Sequence, residues 1–398
     1  MAKHAEYVTK GIDDFELGLK RQKPLKYFLT LPDDEKIKGL VFFIPGFGLD
    51  NNSEYVMKFR TFVADNYSLG CVSVSYHAIK ARRNQNANIV FESEDIARLN
   101  EFLRDYGCPL NYKSINEAIS VLDEAIERHG PVCPFPFLYL TAYLNFGDES
   151  EYQNFGVMQA LDHICVLYDL QERGLDWYGH IIAIGSSHGG YIANLISKFA
   201  PNTLSAVFDN SSYAVPPLGY VMERECRAAI CYPCEMITKN IGLFYTIKSG
   251  WTTNSLASNY YHEDARKIRS FLYEEDIQKM AEIGKNKTQY RFYHSKYDVK
   301  TSNVYEKIAM VDLLKKYNFD SKIHLIDHPD VDGRFIKSVE HGMELSLRMM
   351  FDKLYADITF KNKYSDISLR SLVIYEGIKG NYVFKYEKDE IVPQYIRH

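Results

Sequence analysis

The sequence predicts an α/β fold built on a mainly parallel sheet. Three observations carry that reading. Short apolar runs alternate with longer amphipathic segments along most of the chain. Leu40-Val41-Phe42-Phe43-Ile44 and His180-Ile181-Ile182-Ala183-Ile184 are apolar stretches that each end at a glycine-containing turn, which suits strands buried on both faces. No repeat at solenoid periods and no low-complexity tract interrupts the pattern.

The elements follow in order. Residues 27–31 alternate like an early strand, 40–44 form the next, and 71–76 a third. Residues 92–130 read as helical: Ser93 with Glu94 and Asp95 starts one helix, and Ser114 with Glu117 gives the capping-box spacing of another. The proline- and aromatic-rich stretch 131–144 carries no assignment. Residues 156–173 form an amphipathic helix stopped at Gly174. A strand at 180–184, a helix at 191–199 ended by Pro201, and a strand at 204–209 come next. Strand rhythm is lost over 211–286 and resumes at 290–294, followed by a helix at 303–317 and a strand at 322–327. A helix is expected over 343–354, and the tail from 366 reads as a hairpin. The implied organisation is a core over 25–210 and 287–355, with a lid-like insertion at about 85–155, an inserted cap at 211–286 and a C-terminal β extension at 356–398.

Composition narrows the function class. With 46% hydrophobic and 25% charged residues among 398, the chain has ample material for a large core. A net charge of −5 gives no bulk attraction to nucleic acid or anionic lipid, so no nucleic-acid partner is expected. The longest apolar runs fall far short of the roughly 20 residues a membrane helix needs. The segment Met1-Ala2-Lys3-His4-Ala5-Glu6 lacks the basic and apolar regions of a signal peptide. Seven scattered cysteines, Cys71, Cys108, Cys133, Cys165, Cys226, Cys231 and Cys234, fit a reducing compartment better than a disulfide framework. A cytoplasmic protein is expected.

Cys231-Tyr232-Pro233-Cys234, with Cys226 nearby, has the spacing of a redox pair or half a zinc site. It lies in the expected cap, away from any strand-to-helix start and without a second such pair, so neither metal nor cofactor is expected. Lys80-Ala81-Arg82-Arg83 is a solvated basic run or a contact for an anionic substrate. The 31 tyrosines offer flat faces with hydroxyls, which suit sugars as well as ordinary packing.

Gly185-Ser186-Ser187-His188-Gly189-Gly190 contains G-x-S-x-G between a buried strand and a helix, the context in which that motif presents a nucleophilic serine. The glycines give the turn room, and a helix N-terminus favours developing negative charge. A Gly/Ser-rich anion site is the alternative reading. A serine nucleophile needs a histidine base and an orienting carboxylate, in the chain order Ser, Asp or Glu, His. Asp298 follows the strand at 290–294, and His341 lies after the strand at 322–327. Asp327, Asp330 and His328 are rivals by position, whereas His294 falls inside a strand and reads as structural. Two backbone N–H groups are required for the oxyanion. His188, after the nucleophile, and Phe47, in Pro45-Gly46-Phe47-Gly48, are the candidates.

These residues together resemble the α/β-hydrolase superfamily over roughly residues 25–355, minus insertions. The whole sequence is also similar to a poorly characterised group of bacterial α/β-hydrolase-like proteins. The resemblance implies an eight-stranded, mostly parallel sheet and ester, amide or acyl-transfer chemistry, with no choice of substrate. The oxyanion loop departs from the usual pattern by having Pro45 before Gly46 and no leading histidine. The expected function is a serine hydrolase of the carboxylesterase or deacylase kind, acting on a small-molecule or glycan ester. An O-acyltransferase to a sugar hydroxyl and a peptidase use the same three residues. A non-catalytic hydrolase-like binding protein is the reading from another class; it predicts that Asp298 and His341 do not converge on Ser187.

Overall fold

A computed structural model of the chain describes residues 2–33, 37–46, 50–79, 88–130, 138–145, 152–175, 177–222, 225, 235–247, 250–285, 288–360, 372–387 and 390–398. It divides into two compact units: Met1–Ile79, Asn154–Pro217 and Trp251–His398 make the first, and Lys80–Gln153 with Leu218–Gly250 the second.

The first unit is built on an eight-stranded sheet. Its strands are β1 (Lys3–Thr9), β2 (Leu25–Leu31), β3 (Ile37–Ile44), β4 (Gly70–Ser75), β5 (Trp177–Ser186), β6 (Ala206–Asn210), β7 (Gln289–Ser295) and β8 (Ser321–Ile326). Their spatial order is β1-β2-β4-β3-β5-β6-β7-β8. β1 pairs antiparallel to β2 and β2 antiparallel to β4; every later pair is parallel. The helices are α1 (Glu54–Tyr67), α2 (Val157–Glu172), α3 (His188–Phe199), α4 (Val304–Lys316) and α5 (Leu347–Asp357), with two more at Glu263–Ile268 and Glu274–Gly284.

Side chains alternate across a strand, so a central strand covered on both faces must be apolar throughout. In β3, Leu40, Phe42 and Ile44 pack into a core shared with Leu161 and Ile164 of α2, Ile192 and Ile196 of α3, and Met310 and Leu314 of α4. Val41 and Phe43 face the other way, against Val56, Phe59 and Val63 of α1 and Met350, Phe351 and Leu354 of α5. Helices therefore cover both faces of a mostly parallel sheet, the α/β-hydrolase architecture that the resemblance implies.

Several elements differ from expectation. β1 has no apolar stripe to announce it, because it is an edge strand whose residues are half-buried or exposed. The helix expected from residue 343 starts at Leu347, since Gly342, Met343 and Glu344 have φ of 78°, 55° and 43°, outside the α-helical region. The C-terminal extension is a three-stranded antiparallel sheet, β9 (Leu372–Glu376), β10 (Gly380–Tyr386) and β11 (Ile391–Arg397), not a hairpin. Its Val373, Tyr375, Tyr382 and Phe384 join the same core as Phe199.

The second unit holds a four-stranded sheet in the order Asn88–Val90, Leu138–Asn145, Ile241–Ile247, Glu235–Met236. Residues 138–145, in the stretch left unassigned, run parallel to 241–247, in the stretch where no strand was expected. Helices Ser93–Asp105 and Ile115–His129 complete its own core through Leu99, Leu103, Leu122 and Ile126 against Leu140 and Leu243. The segment 211–286 is shared between units, with 211–217 and 251–286 in the first.

One buried charge cluster ties distant parts of the first unit together. Arg269 and Glu16 form an ion pair at 2.6 Å with both side chains essentially inaccessible. Arg269 also donates to the Asn154 carbonyl at 3.0 Å, and the Tyr382 hydroxyl donates to Glu16 at 2.6 Å. No helix among the described residues is long and apolar enough to cross a membrane.

Candidate active site

β5 ends at Ser186 and α3 begins at His188, leaving Ser187 between them with φ 53° and ψ −123°. A non-glycine residue at positive φ is strained and persists only where its surroundings hold it. The flanking glycines make room. A Cβ on Gly189 would stand 2.0 Å from the Ile44 carbonyl oxygen, and one on Gly185 would stand 2.3 Å from the Gly189 carbonyl carbon. Both obstacles are backbone and cannot move aside. Gly189→Ala is therefore expected to lower stability by about 3 kcal/mol or more, read as a reduced midpoint in urea denaturation; an unchanged midpoint would show that the turn can relax. The Ser187 N–H donates to the Asn210 carbonyl at 2.7 Å, anchoring the turn to β6.

His341 reaches this turn from the loop between β8 and α5. Its Nε2 lies 2.8 Å from the Ser187 Oγ, and its Nδ1 lies 2.5 Å from Asp298 Oδ2. A carboxylate only accepts, so Nδ1 carries the proton and donates to Asp298. That leaves the Nε2 lone pair to accept the Ser187 hydroxyl proton. Asp298 sits just past β7 and is 5% exposed. Its other oxygen accepts the Ser302 N–H at 3.0 Å, which fixes the carboxylate plane.

The positional rivals are engaged elsewhere. Asp327 accepts from the Tyr297 hydroxyl at 2.6 Å and Lys296 at 2.9 Å, and with Asp330 it caps the short 3₁₀ turn His328–Asp330. The His328 ring lies against Tyr297. His294 is buried in β7, and its Nε2 donates to the Ser302 carbonyl at 3.0 Å. Burial, reinforced by the Lys307 charge, pushes its pKa down to about 4. His294 is therefore neutral near pH 7 and brings no competing positive charge to Asp298, 3.9 Å from its Nε2.

His188 is the first residue of α3, where backbone N–H groups have no partner within the helix. Its ring is buried, with Nδ1 hydrogen-bonded to the Tyr213 hydroxyl and Nε2 2.7 Å from Gln159 Oε1. The Gln159 amide nitrogen donates to the His77 carbonyl, so its oxygen faces His188, and Nε2 is the protonated ring nitrogen. Phe47, the basic run at 80–83, Cys133, Cys226, Cys231 and Cys234 lie outside the described residues. Among the described residues, no group of three or more His, Cys, Asp or Glu side chains could hold a metal ion.

Sequence reasoning missed the residues that brace this arrangement. Asn210, Ser295, Gln159 and Tyr213 surround the three side chains or their neighbours. The one available signal was the polar run Asp209-Asn210-Ser211-Ser212 directly after the apolar strand residues Ala206-Val207-Phe208.

Comparison with solved structures returns several enzymes of low sequence identity. An acylaminoacyl peptidase from Pyrococcus horikoshii is 13% identical, with a TM-score of 0.46, over 92% of this chain and 43% of that one. The present chain thus spans less than half of that protein's length. The esterase Est22 is 14% identical with a TM-score of 0.43, over 89% and 76% of the two chains. Est1E from Butyrivibrio proteoclasticus, solved with ferulic acid bound, is 12% identical with a TM-score of 0.42, over 84% and 95%. No curated protein matches the sequence. Residues 5–392, nearly the whole chain, match one family, and the protein belongs to it: the family described as "Protein of unknown function (DUF2920)".

Proposed function

We propose that this protein is a serine hydrolase that cleaves an ester-like bond, in a small molecule or a glycan, through an acyl-serine intermediate. The observation that carries the reading is the continuous hydrogen-bonded chain from Ser187 Oγ through His341 to Asp298, at 2.8 and 2.5 Å. A hydroxyl, a base and an orienting acid in that arrangement are what nucleophilic catalysis at a carbonyl requires. A binding protein would have no need of the strained Ser187 backbone that presents the hydroxyl.

In the first half-reaction Ser187 Oγ attacks the carbonyl carbon while His341 Nε2 takes the hydroxyl proton. Asp298 holds the ring in place and stabilises the imidazolium that forms. The His188 N–H, with Phe47 as its partner donor, receives the oxyanion. Collapse breaks the bond to the leaving oxygen, which takes the proton from His341. Water then attacks the acyl-serine, gives a proton to His341, and releases the acid as Ser187 is restored. Cys71, Cys108 and Cys165 are free thiols, which supports placement in a reducing, cytoplasmic setting.

A fluorophosphonate probe tests the reading directly. Wild-type protein is expected to be labelled covalently and Ser187→Ala not at all. An unlabelled wild type, or equal labelling of the two, would remove the acyl-serine from consideration.

A further inference from the structure

His341 sits on an unusual segment. Gly342, Met343 and Glu344 are three consecutive residues at positive φ, two of them without the freedom of glycine. Such a stretch has no regular ladder to hold it and must be held by individual bonds. The Met343 carbonyl accepts the N–H groups of Lys337 and Ser338 at 3.1 and 3.3 Å, and the Ser295 hydroxyl donates to the Val339 carbonyl. Within the segment, the Met343 N–H donates to the Glu340 carbonyl at 2.9 Å and the Leu345 N–H to the Gly342 carbonyl at 3.1 Å. The tie to β6 comes from Asn210.

Asn210 is the last residue of β6 and is 2% exposed. It pairs with Ser186 on one side and Tyr293 on the other, so it sits between the strand that carries the nucleophile and the strand that leads to the acid. Its Nδ2 lies 2.9 Å from Ser186 Oγ and 3.1 Å from the Gly342 carbonyl oxygen. An amide nitrogen has two hydrogens, one for each acceptor. The Ser211 hydroxyl donates to Asn210 Oδ1 at 3.2 Å, which fixes which way the amide faces. The Asn210 carbonyl meanwhile accepts the Ser187 N–H at 2.7 Å. One residue is thus bonded to Ser187, to the residue before Ser187, and to the residue after His341.

We propose that Asn210 is a positioning residue that sets the distance between nucleophile and base, clamping the turn at Ser187 and the left-handed loop of His341 through a single side-chain amide. Its side chain bonds neither the Ser187 hydroxyl nor the His341 ring. The inference rests on the acyl-serine reading for its kinetic consequence but not for its geometric one. With the clamp released, the loop loses its side-chain tie to β6 next to His341, and the base drifts from the hydroxyl. A misplacement of about 1 Å at a reacting pair costs on the order of 100-fold in rate.

The test uses Asn210→Leu, which keeps the branching of the side chain without the donors, and Ser211→Ala, which frees the amide to turn and serves if the leucine variant does not fold. Circular dichroism establishes folding. The first readout is independent of activity: the low-field proton resonance of the His341–Asp298 hydrogen bond, assigned by its loss in His341→Gln. It is expected to broaden or vanish in the leucine variant. The second is the rate of fluorophosphonate labelling across pH, expected to fall about 10- to 100-fold, with kcat for a nitrophenyl ester falling likewise and KM little changed. The alanine variant is expected to move in the same direction by less. Folded variants that keep both the resonance and the wild-type labelling rate would overturn the clamp. A resonance lost on substitution in a protein whose wild type resists labelling would support the clamp and sink the acyl-serine reading.

Discussion

Ser187→Ala and His341→Ala are each expected to lower kcat/KM for ester hydrolysis by about 10⁴- to 10⁶-fold, with the double variant no worse than either alone. The reason is the single chain of two hydrogen bonds that joins Ser187 to Asp298 through His341. A hydroxyl without its base is a weak nucleophile, and a base without the hydroxyl has no proton to take, so the second deletion removes nothing that the first has left working. In free-energy terms each change raises the barrier by about 5–8 kcal/mol. Asp298→Asn is expected to cost about 10⁴-fold, because an amide presented to Nδ1 favours the wrong ring tautomer. Initial-rate kinetics on a nitrophenyl ester series measure all four variants. Losses that multiply in the double variant would mean that the two side chains act separately, and a Ser187→Ala protein of undiminished activity would place the chemistry elsewhere.

Glu16→Ala is expected to lower stability by about 3–5 kcal/mol. Arg269 is fully buried, and Glu16 is the carboxylate that neutralises it. Removing the carboxylate leaves a guanidinium in the interior with, among the described residues, the Asn154 and Ala265 carbonyls as acceptors. Glu16→Gln, which keeps the shape and some hydrogen bonding, removes the same charge and is expected to fall between alanine and wild type. The pair also gives a pH signature. Burial raises the Glu16 pKa, but the Arg269 charge and the hydrogen bonds from Arg269, Tyr382 and Asn154 outweigh it and hold the pKa below its ordinary 4.5. A lowered folded-state pKa stabilises the protein above the unfolded-state value, and that contribution is lost as the pH falls through the folded-state pKa. Wild-type stability should therefore decline below about pH 4.5, and the Glu16→Gln protein should lack that component of the decline. Thermal denaturation across an acid pH series measures both effects. Equal midpoints for wild type and Glu16→Ala would show that Arg269 finds another counter-charge.

Much of this arrangement is readable from the amino acids because it is locally encoded. β3 and β5 carry the continuous apolar runs Leu40–Ile44 and Ile181–Ile184 since both of their faces are covered. Ser187 is legible because its glycines, strand and helix are neighbours in sequence. Other features depend on pairings that the local sequence does not carry. The strand at 241–247 joins 138–145, about a hundred residues upstream, so nothing around it marks the sheet it enters. β1 is an edge strand without an inward apolar row. Met343 and Glu344 look like helix formers and are held left-handed by bonds from 337, 338 and the opposite loop. Asn210 acquires its place only through the register that sets it beside Ser186. Local chemistry thus names the three side chains that converge, while the parts that hold them at hydrogen-bond distance come from strand register.

The Glu16–Arg269–Tyr382 cluster also bears on how the chain is made. Glu16 and Tyr382 are 366 residues apart in sequence yet share a hydrogen bond in the interior. A polypeptide growing from the ribosome presents Glu16 first of the three, acquires Arg269 much later, and gains Tyr382 only once β10 has begun to be added. Domains that depend on such distant pairings fold slowly and expose apolar surface while incomplete. Synthesis of this protein therefore has a long interval in which Phe199 and its neighbours await the sheet of β9, β10 and β11 that covers them. Chaperone demand should concentrate in that interval, before the last strands arrive.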